Sequence, residues 1–376
     1  MRSIRLTVWS RAYRRLGEVM GPSSVAFSPR WNAASDLSFV IPVDHKRADD
    51  LREDGARVVA EYMIDHEPVV RRSGVVERVT GEGSELTVQW ADDWAEVMQR
   101  ITGWPNPSGT ITQQGDDGAY WTRRGPAETV ALDAIRANVA RIGADVTVPA
   151  SQGRGAQIDV SLRFHPLADR LLPQVDDAGI GVSVVQVGST RRVEVAQRQQ
   201  RTTSVMTEAS GAVLTGSWSL TAPTLTRVVV GCGGEGEARR FVTRIDTVRE
   251  SRWPRREMFV DARDIPTDDP DMTARALARA DEKLAEAAPR SSVAAPLAET
   301  ARYRYGRSYN LGDVVAVQMK DSPILTDVVR EVAISWTPDA GLVVTPRVGL
   351  WDDSPEVRQA QLVARIAREQ RDRRTI

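Results

Sequence analysis

The chain has 376 residues and is close to neutral, with 50 Lys plus Arg against 51 Asp plus Glu. This excludes a global electrostatic pull toward nucleic acid or an anionic membrane and leaves only local patches. Its 41% apolar and 27% charged residues are those of a folded soluble protein, long enough for roughly two to four domains. One cysteine, Cys232, excludes an intrachain disulfide and a zinc site built on paired cysteines.

The N-terminal stretch MRSIRLTVWSRAYRRLG is studded with arginine and has no apolar core of signal-peptide length. No run of about 18 uncharged apolar residues follows, so no membrane-spanning helix is expected. Residues 1–100 read as β structure. Ile4, Leu6 and Val8 alternate with Arg5 and Thr7, and Leu37, Phe39 and Ile41 alternate with Ser38 and Val40. RVVAEYMI (57–64), Val75 to Val79, and Leu86 with Val88 and Trp90 continue the series, with a turn at 81–84. Short strands at this spacing predict an antiparallel barrel or sandwich with one apolar and one wet face. A short helix over 92–100 closes the block.

Residues 101–125 read as a loop carrying Trp104, Tyr120 and Trp121. A helix is expected next, capped by Gly125, with Pro126 in its first turn, Ala131, Ile135, Val139 and Ile142 on one face, and Gly143 at its end. The chain from 157 to 220 returns to short strands around a helical pattern at 167–177. After a β-rich block near 221–260, Asp269 and Pro270 open a helix running to about Ala288, with Leu277, Ala280 and Leu284 on its apolar face and Arg275, Arg279, Glu282 and Glu286 on its wet one. Strands are expected at 299–305, 313–319, 328–336 and 341–346. Ser354 and Pro355 start a final helix with Leu362, Val363 and Ile366 as its stripe.

The stretch TRVVVGCGGEGEARR (226–240) matches G-x-G-x-x-G at Gly231, Gly233 and Gly236, after an apolar β-branched run. A dinucleotide loop needs a helix next, whose N-terminal N–H groups meet the pyrophosphate. Here Phe241, Thr243 and Ile245 alternate with Val242 and Arg244, which is strand periodicity. Glu235 and Glu237 would also repel phosphate at close range by about 1 kcal/mol or more. A glycine-rich hairpin loop between antiparallel strands is the expected structure.

The segment APTLTRVVVGCGGEGEARRF (222–241) resembles the middle of the minor tail proteins of long-tailed actinobacteriophages. SPRWNAASDLSFVIPVDH (28–45), GDDGAYWTRRGPAETVALDAIRANV (115–139), REMFVDARDI (256–265), YNLGDVVAVQM (309–319) and VREVAISW (329–336) fit the same family in order. More distantly it is similar to baseplate hub and tail-associated proteins. The resemblance implies a predominantly β, α+β fold with two barrel-like antiparallel domains at 1–100 and 221–350, the second carrying helix 270–288. An α+β insertion at 101–220 lies between them, and a C-terminal helix and tail occupy 351–376. It implies a homotrimeric ring at the virion tail tip, assembled in the host cytoplasm. Its partners would be the distal tail protein, the tail tube, other tail-tip proteins and the tape-measure protein, with DNA passing transiently and without specific nucleic-acid binding. The lumen of such a ring should avoid clustered arginine, since each phosphate contact adds affinity. The pairs Arg14-Arg15, Arg71-Arg72 and Arg191-Arg192 are therefore expected on outer or subunit-contact surfaces.

Reactive chemistry is sparse in the sequence. No G-x-S-x-G elbow occurs, and His66-Glu67 is followed by Pro-Val-Val rather than completing H-E-x-x-H. No catalytic residue, metal or cofactor is expected. Asp116 and Asp117 beside Tyr120 and Trp121 are the candidate glycan contact, because two carboxylates and aromatic rings can flank a sugar. They carry the alternative readings of a glycan- or receptor-binding tail protein or a tail-borne cell-wall hydrolase, against a surface turn whose rings pack on a neighbour. Tyr303, Tyr305 and Tyr309 interleave with Arg302, Arg304 and Arg307, a pattern able to bind single strands but read here as a strand leading to a turn at Gly312-Asp313.

Overall fold

The computed structural model describes residues 1–114 and 119–349. The fold is predominantly β and α+β, at 45% strand and 18% helix, as expected from the alternation. Among the described residues it comprises two compact units: Met1–Gly216 together with 294–349, and Ser217–Val293. The C-terminal helix expected after Ser354 lies outside the described residues.

The first unit begins with strands β1 (Arg2–Trp9), β2 (Arg15–Glu18), β3 (Ser24–Ser28) and β4 (Asp36–Pro42). A short helix α1 (Ala48–Arg52) leads to β5 (Arg57–Ile64), β6 (Glu67–Glu82) and β7 (Glu85–Asp92). Leu37, Phe39 and Ile41 are buried, so the period-two pattern of β4 marks its inner face as predicted. The β6–β7 hairpin closes over Gly83-Ser84, with Gly83 at φ +59°, a value glycine adopts without strain. β5 departs from the one-dry, one-wet expectation. Seven of its eight residues are buried, including Arg57 and Glu61, because other elements cover both faces.

Helix α2 (Asp93–Met98) starts where Asp92 accepts the Trp94 N–H. β8 (Thr102–Gly103) and β9 (Trp121–Pro126) fall where a loop was expected. Gly125 and Pro126 thus belong to a strand end, and α3 (Ala127–Arg141) begins one residue later than predicted. Gly143, at φ +62°, ends it. Next come β10 (Val146–Thr147), β11 (Gln157–Leu162), β12 (His165–Pro166), α4 (Leu167–Asp177), β13 (Ile180–Val187), β14 (Thr190–Gln197) and β15 (Gln200–Thr207). Helices α2, α3 and α4 share a core with β11 and β13, built on residues such as Trp94, Leu132, Ile135, Leu162, Leu171 and Val182.

The second unit holds β16 (Ser217–Thr221), β17 (Arg227–Gly231), β18 (Phe241–Ile245), α5 (Thr247–Glu250), β19 (Glu257–Asp261) and α6 (Met272–Glu286). β17 is central, antiparallel to β18 and parallel to β19. Val228 and Val230 bury against Ala276, Ala280 and Leu284 of α6. The observed buried stripe of α6 therefore includes Ala276, while the expected Leu277 is only half-buried.

β20 (Arg290–Pro296) closes the second unit and re-enters the first, followed by β21 (Val314–Gln318), β22 (Leu325–Thr337) and β23 (Gly341–Val348). The strand expected at 299–305 is instead a loop. In the first unit the strand order runs β23-β22-β3-β4-β7-β6-β5-β1-β2, with β21 joined to β22 and β15 to β21. Ile334 pairs with Phe27 and Trp336 with Val25, so strands from the two ends of the sequence share one ladder. No closed barrel forms among the described residues.

Candidate functional site

The glycine-rich stretch is a hairpin connection. Arg227 pairs with Ile245 and Gly231 with Phe241 in an antiparallel ladder, and no α-helix follows the glycines. Two of the backbone N–H groups that could face a phosphate are committed within the unit. Cys232 N–H donates to Arg240 O at 2.9 Å and Gly233 N–H to Ile265 O at 2.8 Å. Gly234 needs glycine on two counts: its φ is +91°, and a Cβ there would lie 2.6 Å from Ala238 O.

The first unit is tied together by buried charge. Asp93 is fully buried and accepts from Arg57 Nη2, from Ser73 Oγ and, at 3.5 Å, from Arg191 Nη1. Arg57 Nε also donates to Gln186 Oε1 at 2.8 Å, linking β5, α2 and β13. Beside it, Asp92 accepts the Ser35 N–H at 2.7 Å and the Trp94 N–H at 3.0 Å. Burial pushes the Asp92 carboxyl up to about 6, against the pull of Arg72 and these two N–H donors.

A third node centres on Asp176 at the end of α4. It accepts from Trp31 Nε1 at 2.7 Å, Asn32 Nδ2 at 2.9 Å, Arg198 at 3.0 Å and Arg330 at 3.0 Å. Burial acts to raise the Asp176 carboxyl, but Arg330, Arg198 and Asn32 outweigh it and hold it below the usual carboxylate range. The Trp31 ring is seated against two glycines. A Cβ at Gly181 would lie 2.3 Å from the ring and one at Gly312, at φ +90°, 2.1 Å from it. One tryptophan thereby joins the β3–β4 connection, β13 and the turn before β21. These nodes were missed in the sequence, since their hydrogen-bonded members come from separate elements up to 154 residues apart. The one local signal is Arg30-Trp31-Asn32, polar and aromatic residues inside an otherwise apolar-patterned block.

Of the candidate glycan residues, Asp116 and Asp117 lie outside the described residues. Tyr120 is exposed, with the Arg163 guanidinium 5.4 Å from its ring centroid. Trp121 begins β9 and is half-buried against the core of α3 and α4. The tyrosines expected to alternate along a strand are buried in a loop, Tyr303 at 8%, Tyr305 at 1% and Tyr309 at 1% exposure, so none offers a face for a base. Tyr305 stacks on Tyr62 at 5.9 Å.

The arginine pairs divide. Arg14 is exposed, and Arg15 pairs with Glu18 at 2.7 Å. Arg72 is buried and donates to Ser35 Oγ and to the Arg30 carbonyl, both at 3.2 Å, and Arg191 reaches Asp93. These two arginines correct the surface expectation, because buried carboxylates and carbonyls draw them inside. Arg71 joins Arg5 on Glu61, whose charges line a cleft of about 240 Å³ beneath β1 and β5. Among the described residues, no group of three or more His, Cys, Asp or Glu could hold a metal, and no helix is long and apolar enough to cross a membrane.

No curated protein matches the chain in sequence. Its fold is that of solved tail proteins. The 43 kDa tail protein of prophage MuSo2 from Shewanella oneidensis aligns over 92% of this chain and 98% of its own, at 11% identity and a TM-score of 0.50. Prophage tail protein gp18 from Listeria monocytogenes aligns over 96% and 98%, also at 11% identity and 0.50. The model of the Siphovirus ReqiPepy6 Gp37-like protein family matches residues 5–350. With most of its length in that match and the fold of tail proteins around it, the chain belongs to this family of siphovirus tail proteins.

Proposed function

We propose that the chain is a structural hub of the phage tail tip. In this reading copies assemble as a homotrimeric ring that joins the tail tube and distal tail protein to the tip. Other tail-tip proteins dock on it, and the tape-measure protein and DNA pass through. The observation that carries the reading is the way charge is used. Asp92, Asp93 and Asp176 sit inside the first unit, each spent on binding distant segments to one another rather than facing a cleft. A protein that transmits load between rings needs such internal ties. Buried polar networks also specify one arrangement of the elements they join.

Membership in a virion tail family supports a structural rather than an enzymatic role. Light scattering on the purified protein tests the proposal, with a mass three times that of one chain expected. A monomer at all concentrations that also fails to bind tail-tube or distal tail protein overturns it.

A further inference from the structure

One rim of the first unit gathers aromatic rings and unpaired guanidinium groups. β9 pairs with β11, placing Trp121 opposite Leu162, and β8 pairs with β12, placing Gly103 opposite His165. The residues just beyond these pairs, Tyr120, Arg163, Phe164 and Trp104, therefore meet at one edge. Trp104 and Phe164 are edge-to-face at 5.8 Å. The Arg141 guanidinium, from the last turn of α3, lies 4.3 Å from the Trp104 ring centroid, and Arg163 lies over Tyr120.

Three features set this rim apart from ordinary surface. Phe164 is 42% exposed and held at φ +59°, a region that bulky side chains rarely adopt. Arg141 Nε is buried with no hydrogen-bond partner, while its Nη2 donates to Thr102 O at 3.2 Å. No carboxylate pairs with Arg141 or Arg163 among the described residues, although nearby Arg123 and Arg136 both pair with Asp133.

We propose that Trp104, Phe164 and Tyr120, with Arg141 and Arg163, form a binding patch for a short anionic oligosaccharide. The rings offer apolar faces to the C–H face of a sugar, and the guanidinium groups offer charge-assisted hydrogen bonds to its carboxylate or phosphate substituents. Two cations suffice for one or two such charges but not for the run of phosphates that a nucleic-acid groove engages. A neutral sugar would leave two guanidinium groups partly desolvated without compensation. The inference uses neither Asp116 nor Asp117, which lie outside the described residues, and it does not depend on the hub reading: failure to trimerise leaves it standing.

Calorimetric titration of the full chain with a galacturonate hexamer tests it, alongside a neutral glucose hexamer and an oligo-dT strand. The galacturonate hexamer should bind with a dissociation constant of about 1 mM or tighter. Phe164→Gly, which keeps the backbone angle allowed, and Arg163→Gln should each weaken it about tenfold or more, with unchanged circular dichroism. The proposal is overturned by absence of heat from the acidic hexamer, by equal affinity for the neutral one, by tighter binding of oligo-dT, or by full affinity in both variants.

Discussion

Asp92 is a buried carboxylate and Asp176 a half-buried one, and they respond to pH in opposite directions because their partners differ. Asp92 is raised to about 6 from 3.8. Its protonated form is favoured in the fold, so the stability linked to it is greatest below the unfolded value and is lost as pH rises through 6. Wild type should therefore gain on Asp92→Asn by about 2–3 kcal/mol between pH 7 and pH 4, read from urea unfolding at each pH. Asp176 is lowered. It contributes stability above its unfolded value and loses that contribution as pH falls through its depressed folded value. Asp176→Asn should cost about 2–3 kcal/mol at pH 7, since Arg198 and Arg330 would keep their burial without the countercharge. An equal cost at pH 2 would refute the linkage.

At the scale of elements, the tightest fit is Trp31 against Gly181 and Gly312. Gly181→Ala should cost about 1–3 kcal/mol by overpacking, and Gly312→Ala at least as much because its φ of +90° adds backbone strain. Trp31→Ala removes the ring and should cost about 3–5 kcal/mol, measured as a lowered urea midpoint. By contrast, Gly236 in the hairpin loop has open space around a built Cβ, and Gly236→Ala should cost only about 1 kcal/mol through its φ of +53°.

These contrasts mark what the sequence made legible. The alternation of β4, the span of α4 and the strand after the glycines are local patterns, and all three were readable. The loop at 299–313 was misread because Tyr303, Tyr305 and Tyr309 mimic strand periodicity while packing inward without a ladder. β9 was hidden by glycine, proline and arginine in a strand with no buried residue. The aromatic rim was half visible. Trp104 and Tyr120 stood out, but Phe164 and Arg163 are more than forty residues away and reach them only through strand pairing.

At the scale of the whole molecule, the hub reading and the internal ties make a joint prediction about assembly. Arg57→Met leaves Asp93 buried without its closest cation and should reduce folded yield before it alters any subunit surface. In a tail-assembly complementation assay, such a variant should give fewer particles of normal length and infectivity, rather than normal numbers of defective ones. The reverse outcome would place Arg57 in a working surface instead. The ladder between β3 and β22 has a temporal side. Phe27 pairs with Ile334 across more than three hundred residues, so this part of the first unit cannot close until β22 has been made. A prematurely terminated product would lack that closing strand and present a raw sheet margin prone to clumping. Synthesis through β22 thus becomes a checkpoint, and only copies that carry this strand are fit to enter a particle.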